Sequence, residues 1–249
     1  PQNAKTFASD LDMVKYYLKH GEKVVLSIAP SYLGIFKYDH PGQVIDALKK
    51  LGFTYVRETA EGAALVTEAY QKLMDEGKMK NIITTCCPSV NDLIEKYYPE
   101  LTSDMAPVVS PMIAHGMLMK AIYGEKVKTV FAGPCIAKKE EARDDERTEG
   151  YIDAVITFAE LEAWFKEAGI DVFACSNVPV DNPDPKINRM YPVRKGVMTS
   201  VMTEHGGDGY KMFDIDGMDN CLELFEEMRQ GKLSGCFIEA NMCEGGCVK

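Results

Sequence analysis

A chain of 249 residues, 46% hydrophobic and 27% charged, can bury the core of one large domain or two intimate lobes without covalent staples. Its formal net charge of −10 repels a polyphosphate, which excludes a nucleic-acid partner. No apolar run reaches the roughly 18 residues of a membrane span, and the start as given shows no signal-peptide pattern.

Ser9 and Asp10 precede an amphipathic stretch, Leu11 to Lys19, that closes at Gly21; cap, periodicity and terminal glycine agree on a helix. Lys23 to Ala29 is β-rich and reads as a strand, with Pro30 and Ser31 directly after it. Pro41 opens a second helix that carries Val44, Ile45, Leu48 and Leu51 on one face and ends at Gly52. Phe53 to Val56 reads as a strand, and Ala60 to Met74 as a helix ending near Gly77. Asn81 to Thr85 is a short buried strand that runs into Cys86-Cys87-Pro88, and Ser89 is expected to cap a helix through about Tyr97.

Pro111 to about Tyr123 is helical, and Val127 to Ala132 is a strand that runs into Gly133-Pro134-Cys135. Glu140 to Gly150 is a charged, exposed segment. Tyr151 to Thr157 is a strand; Thr157 with Glu160 makes a capping box for a helix through Ala168, stopped by Gly169. Phe173 to Lys195 holds four of the twelve prolines and reads as a long loop, of the kind that is functional or mobile. Val197 to Glu204 is helical, Tyr210 to Ile215 a strand, Met218 to Arg229 a helix and Gly235 to Glu239 a last strand. The alternation implies an α/β fold with largely parallel sheets. Three times a short apolar strand empties into a cysteine loop. Ligands of open α/β folds gather beyond the carboxyl ends of strands, so the three loops can converge.

Eight cysteines need a reason. A secreted disulfide framework belongs to smaller, loop-rich chains, so these are read as reduced thiols of a cytoplasmic protein. Five of them sit in three motifs: Thr84-Thr85-Cys86-Cys87-Pro88, Gly133-Pro134-Cys135-Ile136-Ala137-Lys138-Lys139-Glu140-Glu141, and Asn241-Met242-Cys243-Glu244-Gly245-Gly246-Cys247. Four thiolates from such loops satisfy a cubane, which takes one cysteine per iron. Gly245 and Gly246 allow close backbone approach, while Pro88 and Pro134 stiffen their loops. Blander readings stand beside this one. A single cysteine after a strand is most often core packing, and a lone C-x3-C suits zinc as well as iron. Lys138 to Glu141 also reads as a solvated charged face, Cys86 as core and Ser31 as a helix cap.

The three motifs, in this order and spread over the whole chain, resemble the signature segments of the FeFe-hydrogenase catalytic (H-cluster) domain, roughly TSCCPxW, PCxxKxxE and CxxGCxxGG. Ser27-Ile28-Ala29-Pro30-Ser31 resembles the family's strand-to-loop segment near its active site. The resemblance implies two interleaved α/β lobes with mostly parallel sheets and the cofactor between them. It implies that Cys87, Cys135, Cys243 and Cys247 bind a 4Fe–4S cluster, with Cys247 bridging to a two-iron subcluster that carries CO, cyanide and a bridging dithiolate. Lys138 matches the lysine on one cyanide, a charge-assisted contact; Pro30 and Ser31 match contacts to the other. Cys86 matches the cysteine that passes protons to the bridging amine, and Glu141 stands where the second motif ends in Glu. Implied partners are H2 and protons, a ferredoxin or ferredoxin-like domain, maturases and a C-terminal signalling domain. The chain, residues 1–249, is expected to be a domain excised from a longer protein: Pro1 to Lys5 resemble the tail of a ferredoxin-like module, and the chain stops two residues after Cys247.

Departures from the family pattern point to its divergent, sensory branch. Gly133 and Asn241 stand where active hydrogenases place methionines, Ser89-Val90 replace Gly-Trp, and Met112-Ile113 follow Pro111 where glutamine is frequent. Glu61 and Glu68 lie on a helix but align with no acidic relay. Cys175, Cys221 and Cys236 match no motif and read as structural. His20, His40, His115 and His205 lack ligand spacing, His115 reading as packed or capping, and Met112, Met117 and Met119 read as core. Three functions follow from the resemblance: a hydrogenase, a slow H2 sensor with the same cofactor, or a cubane-only protein similar to eukaryotic assembly factors. Retention of Cys86 and Lys138 favours the first two, since neither is needed to hold a cubane.

Overall fold

A computed structural model describes residues 7–143, 147–205 and 209–248, without the side chains of Glu204 and His205. The tail at residues 1–5 and positions 144–146 of the charged segment lie outside the described residues. Seven strands follow in chain order: β1 (Val24–Ile28), β2 (Tyr55–Glu58), β3 (Asn81–Ile83), β4 (Lys128–Gly133), β5 (Ala154–Thr157), β6 (Lys211–Asp216) and β7 (Cys236–Asn241). The chain divides into two compact units interleaved along the sequence, residues 1–59 with 115–183 and residues 60–114 with 184–249. The expected α/β class, with parallel sheets and interleaved lobes, holds.

The first unit carries a four-stranded, all-parallel sheet in the order β2-β1-β4-β5. All five residues of β1 and five of the six in β4 are buried. Parallel strands covered on both faces read as continuous apolar runs, and VVLSI and TVFAG are such runs. The chain builds β2 on one side of β1 and later returns to lay β4 on the other. Strand order therefore reverses between β1 and β4, and the carboxyl ends of that pair form the switch point where α/β folds bind ligands. Helix Phe158–Glu167 starts on the expected capping box: Thr157 Oγ1 accepts from the Glu160 amide, and the Glu160 carboxylate accepts from the Thr157 amide at 2.6 Å. Its Phe158 meets Phe36 edge-on at 5.2 Å in the core.

The second unit carries a three-stranded parallel sheet in the order β3-β7-β6, the last strand of the chain lying in the middle. On one side, Phe225, Cys221 and Met228 of helix Met218–Arg229 pack with Leu93 and Ile94 of helix Pro88–Tyr97. On the other, Val66, Tyr70 and Met74 of helix Ala60–Glu76 pack with Val197 and Val201. Full burial of such side chains stabilises by roughly 1.5–3 kcal/mol each.

Several boundaries differ from the sequence reading, each for a physical reason. β2 begins two residues late and keeps Arg57 and Glu58, because the long loop supplies its edge: the Val56 amide donates to Asp181 Oδ2 at 2.8 Å and the Glu58 amide to Asn182 Oδ1 at 2.7 Å. The loop itself holds two 3-10 turns, Val172–Ala174 and Lys186–Met190. Cys87, not Ser89, caps helix Pro88–Tyr97, since Pro88 at the first position needs no amide partner. β7 runs to Asn241, held by pairing to Asp216 of β6. Helix Tyr32–Ile35 and the 3-10 helix Pro99–Asp104 escape the sequence reading, being too short to show a period.

Candidate metal centre

In the first unit, two of the singled-out segments leave the adjacent carboxyl ends of β1 and β4. Ile28 pairs with Ala132, and the Ala29 amide donates to Ala132 O at 2.8 Å, so Pro30-Ser31 and Gly133-Pro134-Cys135 start side by side. Ser31 heads helix Tyr32–Ile35 but caps nothing: it has helical angles, and its buried Oγ has no hydrogen-bond partner. The cap reading therefore fails. A buried hydroxyl that no protein group satisfies suits a hydrogen bond to a bound ligand.

Cys135 is half-buried, and helix Ala137–Arg143 follows it. Lys138 and Lys139 are buried, so the solvated-face reading fails at both. The Lys138 ammonium pairs with Glu141 at 2.5 Å, one helical turn on. Lys139 turns away, donating to Val155 O at 2.6 Å and pairing with Glu160 at 3.2 Å. At Gly133 a Cβ would stand 2.6 Å from the Phe131 ring and 3.3 Å from Ala29 Cβ. Phe131 thus fills the volume that a larger residue at position 133 would need.

In the second unit the other two motifs also leave adjacent strands. Ile83 of β3 pairs with Ile238 of β7, the Thr84 amide donates to Ile238 O at 2.9 Å, and Thr84 Oγ1 accepts from the Ala240 amide at 3.2 Å. Cys87 is buried and stands at the N-cap of a ten-residue helix, without a side-chain cap bond. Cys86 is half-buried; its Sγ lies 3.3 Å from the Tyr70 hydroxyl. Cys243 is exposed and Cys247 half-buried. Their loop is tied down twice: the Gly245 amide donates to Asp216 Oδ2 at 2.7 Å, and the Cys247 amide to Pro192 O at 2.7 Å. Gly246 has φ +91°, and a Cβ there would lie 2.3 Å from Pro192 O, so only glycine fits.

Two buried polar residues of this unit were not singled out by the sequence. Glu239 of β7 is 1% exposed; burial pushes its carboxyl up to about 7, and Oε2 accepts from the Met198 amide at 2.9 Å. The available signal was one acid inside the apolar strand CFIEA. Tyr70 sits on the apolar face of its helix and carried no signal beyond core packing.

The remaining candidates fall as follows. Cys175, Cys221 and Cys236 are buried. Burial pushes the Cys221 thiol up to about 12, and it donates to Asn241 O at 3.7 Å. His115 is buried, its Nδ1 2.7 Å from Ser27 Oγ, a packed residue as expected. Met112 and Met119 are core, but Met117 is 42% exposed, contrary to expectation. Glu68 is exposed.

Among the described residues, no three His, Cys, Asp or Glu side chains gather tightly enough to hold a single metal ion. A cubane is a different demand, since it spreads one thiolate to each iron around a cluster. None of the eight cysteines forms a disulfide, and the five motif cysteines all follow strand ends. Soft thiolates suit an iron–sulfur group, and in the first unit the strand next to the one that leads to Cys135 ends at Ser31, whose unsatisfied hydroxyl suits a polar ligand of such a group. No helix among the described residues is long and apolar enough to cross a membrane.

The chain is 28% identical to iron hydrogenase 1 of Clostridium pasteurianum, an alignment that covers 100% of the chain and 53% of that protein. It is 28% identical to the periplasmic [Fe] hydrogenase large subunit of Nitratidesulfovibrio vulgaris, covering 83% and 61%. It is also 28% identical to the cytosolic Fe-S cluster assembly factor NAR1 of Vanderwaltozyma polyspora, over 70% of the chain and 33% of that protein. The chain thus spans between half and two-thirds of the two hydrogenases. A solved [FeFe]-hydrogenase from Chlamydomonas reinhardtii shares the fold with a TM-score of 0.75 at 20% identity, over 97% of this chain and 83% of that one. The family described as iron only hydrogenase large subunit, C-terminal domain matches residues 22–249, and the chain belongs to it.

Proposed function

We propose that this chain is an FeFe-hydrogenase-type domain that interconverts H2 with protons and electrons slowly and serves H2 sensing or redox signalling. The observation that carries the reading is the placement of the family's motifs: each cysteine loop leaves the carboxyl end of a parallel strand, in a chain that retains Cys86 and Lys138. Cys87, Cys135, Cys243 and Cys247 are the proposed ligands of a 4Fe–4S cluster, with Cys247 shared with a two-iron subcluster bearing CO, cyanide and a bridging dithiolate. When bound, that group supplies the two-electron chemistry, 2H⁺ + 2e⁻ ⇌ H2.

The chain's own residues have distinct tasks in this reading. Ser31 offers a buried hydroxyl with no protein partner, and Pro30 fixes the backbone before it. Lys138 offers a buried ammonium, and its pairing with Glu141 holds the side chain in place. Cys86 holds and passes a proton, the task of a general acid. Low turnover follows from Gly133 and Asn241: Phe131 walls the first position, and a polar amide stands at the second. A ferredoxin or ferredoxin-like domain would deliver electrons, maturases would insert the two-iron unit, and a C-terminal domain would read the signal. The reading of the cysteines as reduced thiols supports a cytoplasmic location.

A second reading is favoured by the likeness to an Fe-S cluster assembly factor: the same four thiolates with a cubane alone and no H2 chemistry. The matured chain, assayed with a reduced viologen dye beside Cys86→Ala, separates them. The expected outcome is slow H2 turnover in the wild type, reduced by about 10²-fold or more in Cys86→Ala with iron content unchanged. No turnover from a chain that carries CO and cyanide would overturn the enzymatic reading. A variant as active as wild type would show that protons take another route.

A further inference from the structure

Tyr70 lies on the core face of helix Ala60–Glu76, in the same apolar cluster as Val66 and Met74, one turn to either side. It is fully buried, and its ring meets Phe237 of β7 edge-on at 5.6 Å. Packing alone would be served as well by phenylalanine, because a buried hydroxyl costs free energy unless it is bonded. Here it is bonded twice, both times to the first cysteine motif. The Thr85 amide donates to the phenol oxygen at 3.0 Å, and Cys86 Sγ lies 3.3 Å from the same oxygen. An amide N–H can only donate, so at Thr85 the oxygen accepts, and the phenol hydrogen is left for the sulfur. Burial holds the phenol well above its ordinary pKa, so it keeps that hydrogen.

The surrounding loop is fixed from two further sides. Thr85 Oγ1 donates to Val108 O at 2.5 Å, and Asn91 Nδ2 donates to Thr85 O at 3.1 Å. Cys86 therefore hangs from a rigid backbone, and Tyr70 reaches its reactive atom.

We propose that Tyr70 is a positioning residue for Cys86: its phenol O–H donates to the Cys86 sulfur and holds that sulfur in the orientation from which the thiol hands on its proton. This rests on the reading of Cys86 given above. A cysteine sulfur accepts a hydrogen bond only weakly, but a donor fixed on a buried helix holds it to one orientation. Phenylalanine at position 70 would keep the ring contacts, remove the donor and deprive the Thr85 amide of this acceptor.

The test has two arms. In the first, the cofactor-free chain is alkylated with iodoacetamide at one fixed pH, and each cysteine is followed by peptide mass spectrometry. Tyr70→Phe should slow Cys86 about tenfold, because its sulfur is no longer held in one orientation by the phenol. Cys135 and Cys243 should react at wild-type rates and so report an intact fold. A Cys86 rate equal to or faster than wild type would overturn the proposal. In the second arm, matured Tyr70→Phe should lose about tenfold in H2 turnover with iron content and infrared bands unchanged. In a Cys86→Ala background the same substitution should cost nothing further. An additional loss there would show that Tyr70 acts through the fold and would also overturn the proposal. The first arm needs no cofactor, so an inactive matured wild type would count against the hydrogenase reading while alkylation still decides on the Tyr70–Cys86 bond.

Discussion

At the scale of single residues, the cysteine motifs were legible because their chemistry is written in residue type and spacing. The buried polar residues around them were not. Glu239 and Tyr70 occupy positions that a strand or helix period assigns to core, and only burial shows that each carries a polar task. Glu239 has a consequence for stability. Burial raises its folded pKa to about 7, above the ordinary carboxylate value, so between the two the folded chain binds the proton more tightly than the unfolded chain. Its contribution is full below the ordinary value and is lost as pH rises to about 7, a difference of about 3 kcal/mol. Glutamine keeps an oxygen for the Met198 amide and cannot ionise. Urea unfolding of the cofactor-free chain near pH 5 and near pH 8 should show wild type losing about 3 kcal/mol more than Glu239→Gln across that interval. Equal losses would mean the carboxyl is solvated or compensated. Lys138 and Ser31 make the complementary case. Their sequence contexts permitted a charged face and a helix cap, and the structure removes both readings by burying the one and leaving the other's hydroxyl unsatisfied.

At the scale of elements, most helices and strands were legible from period and punctuation. The capping box at Thr157 and the helix Met218–Arg229 agree with the sequence reading to within a residue. Failures came where tertiary partners override local pattern: β2 is extended over Arg57 and Glu58 because Asp181 and Asn182 bond its amides from more than a hundred residues away. The last cysteine loop shows the same dependence. Gly245 and Gly246 look alike in sequence and both take positive φ, but their surroundings differ. A Cβ at 245 meets nothing within 4 Å, whereas one at 246 would stand 2.3 Å from Pro192 O. Gly245→Ala should therefore cost only backbone strain, about 1–2 kcal/mol. Gly246→Ala should cost more than about 3 kcal/mol and lower iron content after reconstitution, because the loop must leave its bridge to Val193. Equal effects of the two substitutions, measured by chemical denaturation and iron assay, would show that the Pro192 contact does not shape the loop.

At the scale of the whole molecule, alternation of strand and helix gave the α/β class, but not the strand orders or the division of the chain. Those depend on which strands pair, and nothing local encodes that β7, the last strand, lies between β3 and β6. Once the pairing is known, the placement of the motifs follows. Pro30-Ser31 and Cys135 leave neighbouring strands of one sheet, and Cys86-Cys87 and Cys243 leave neighbouring strands of the other. Cys135 belongs to the first unit, and Cys87, Cys243 and Cys247 belong to the second. Loss of Cys135 would leave one iron of the proposed cluster without its thiolate, whereas loss of Cys221, buried as a thiol, should not be felt in iron content. If four motif thiolates hold a cluster that carries a two-iron unit, the infrared spectrum of the matured chain, recorded with its iron content, shows it. CO and cyanide bands in the wild type and in Cys221→Ala, with loss of both bands and iron in Cys135→Ala, is the predicted result. Full iron retention in Cys135→Ala, or bound iron in a matured wild type without CO and cyanide bands, would contradict it.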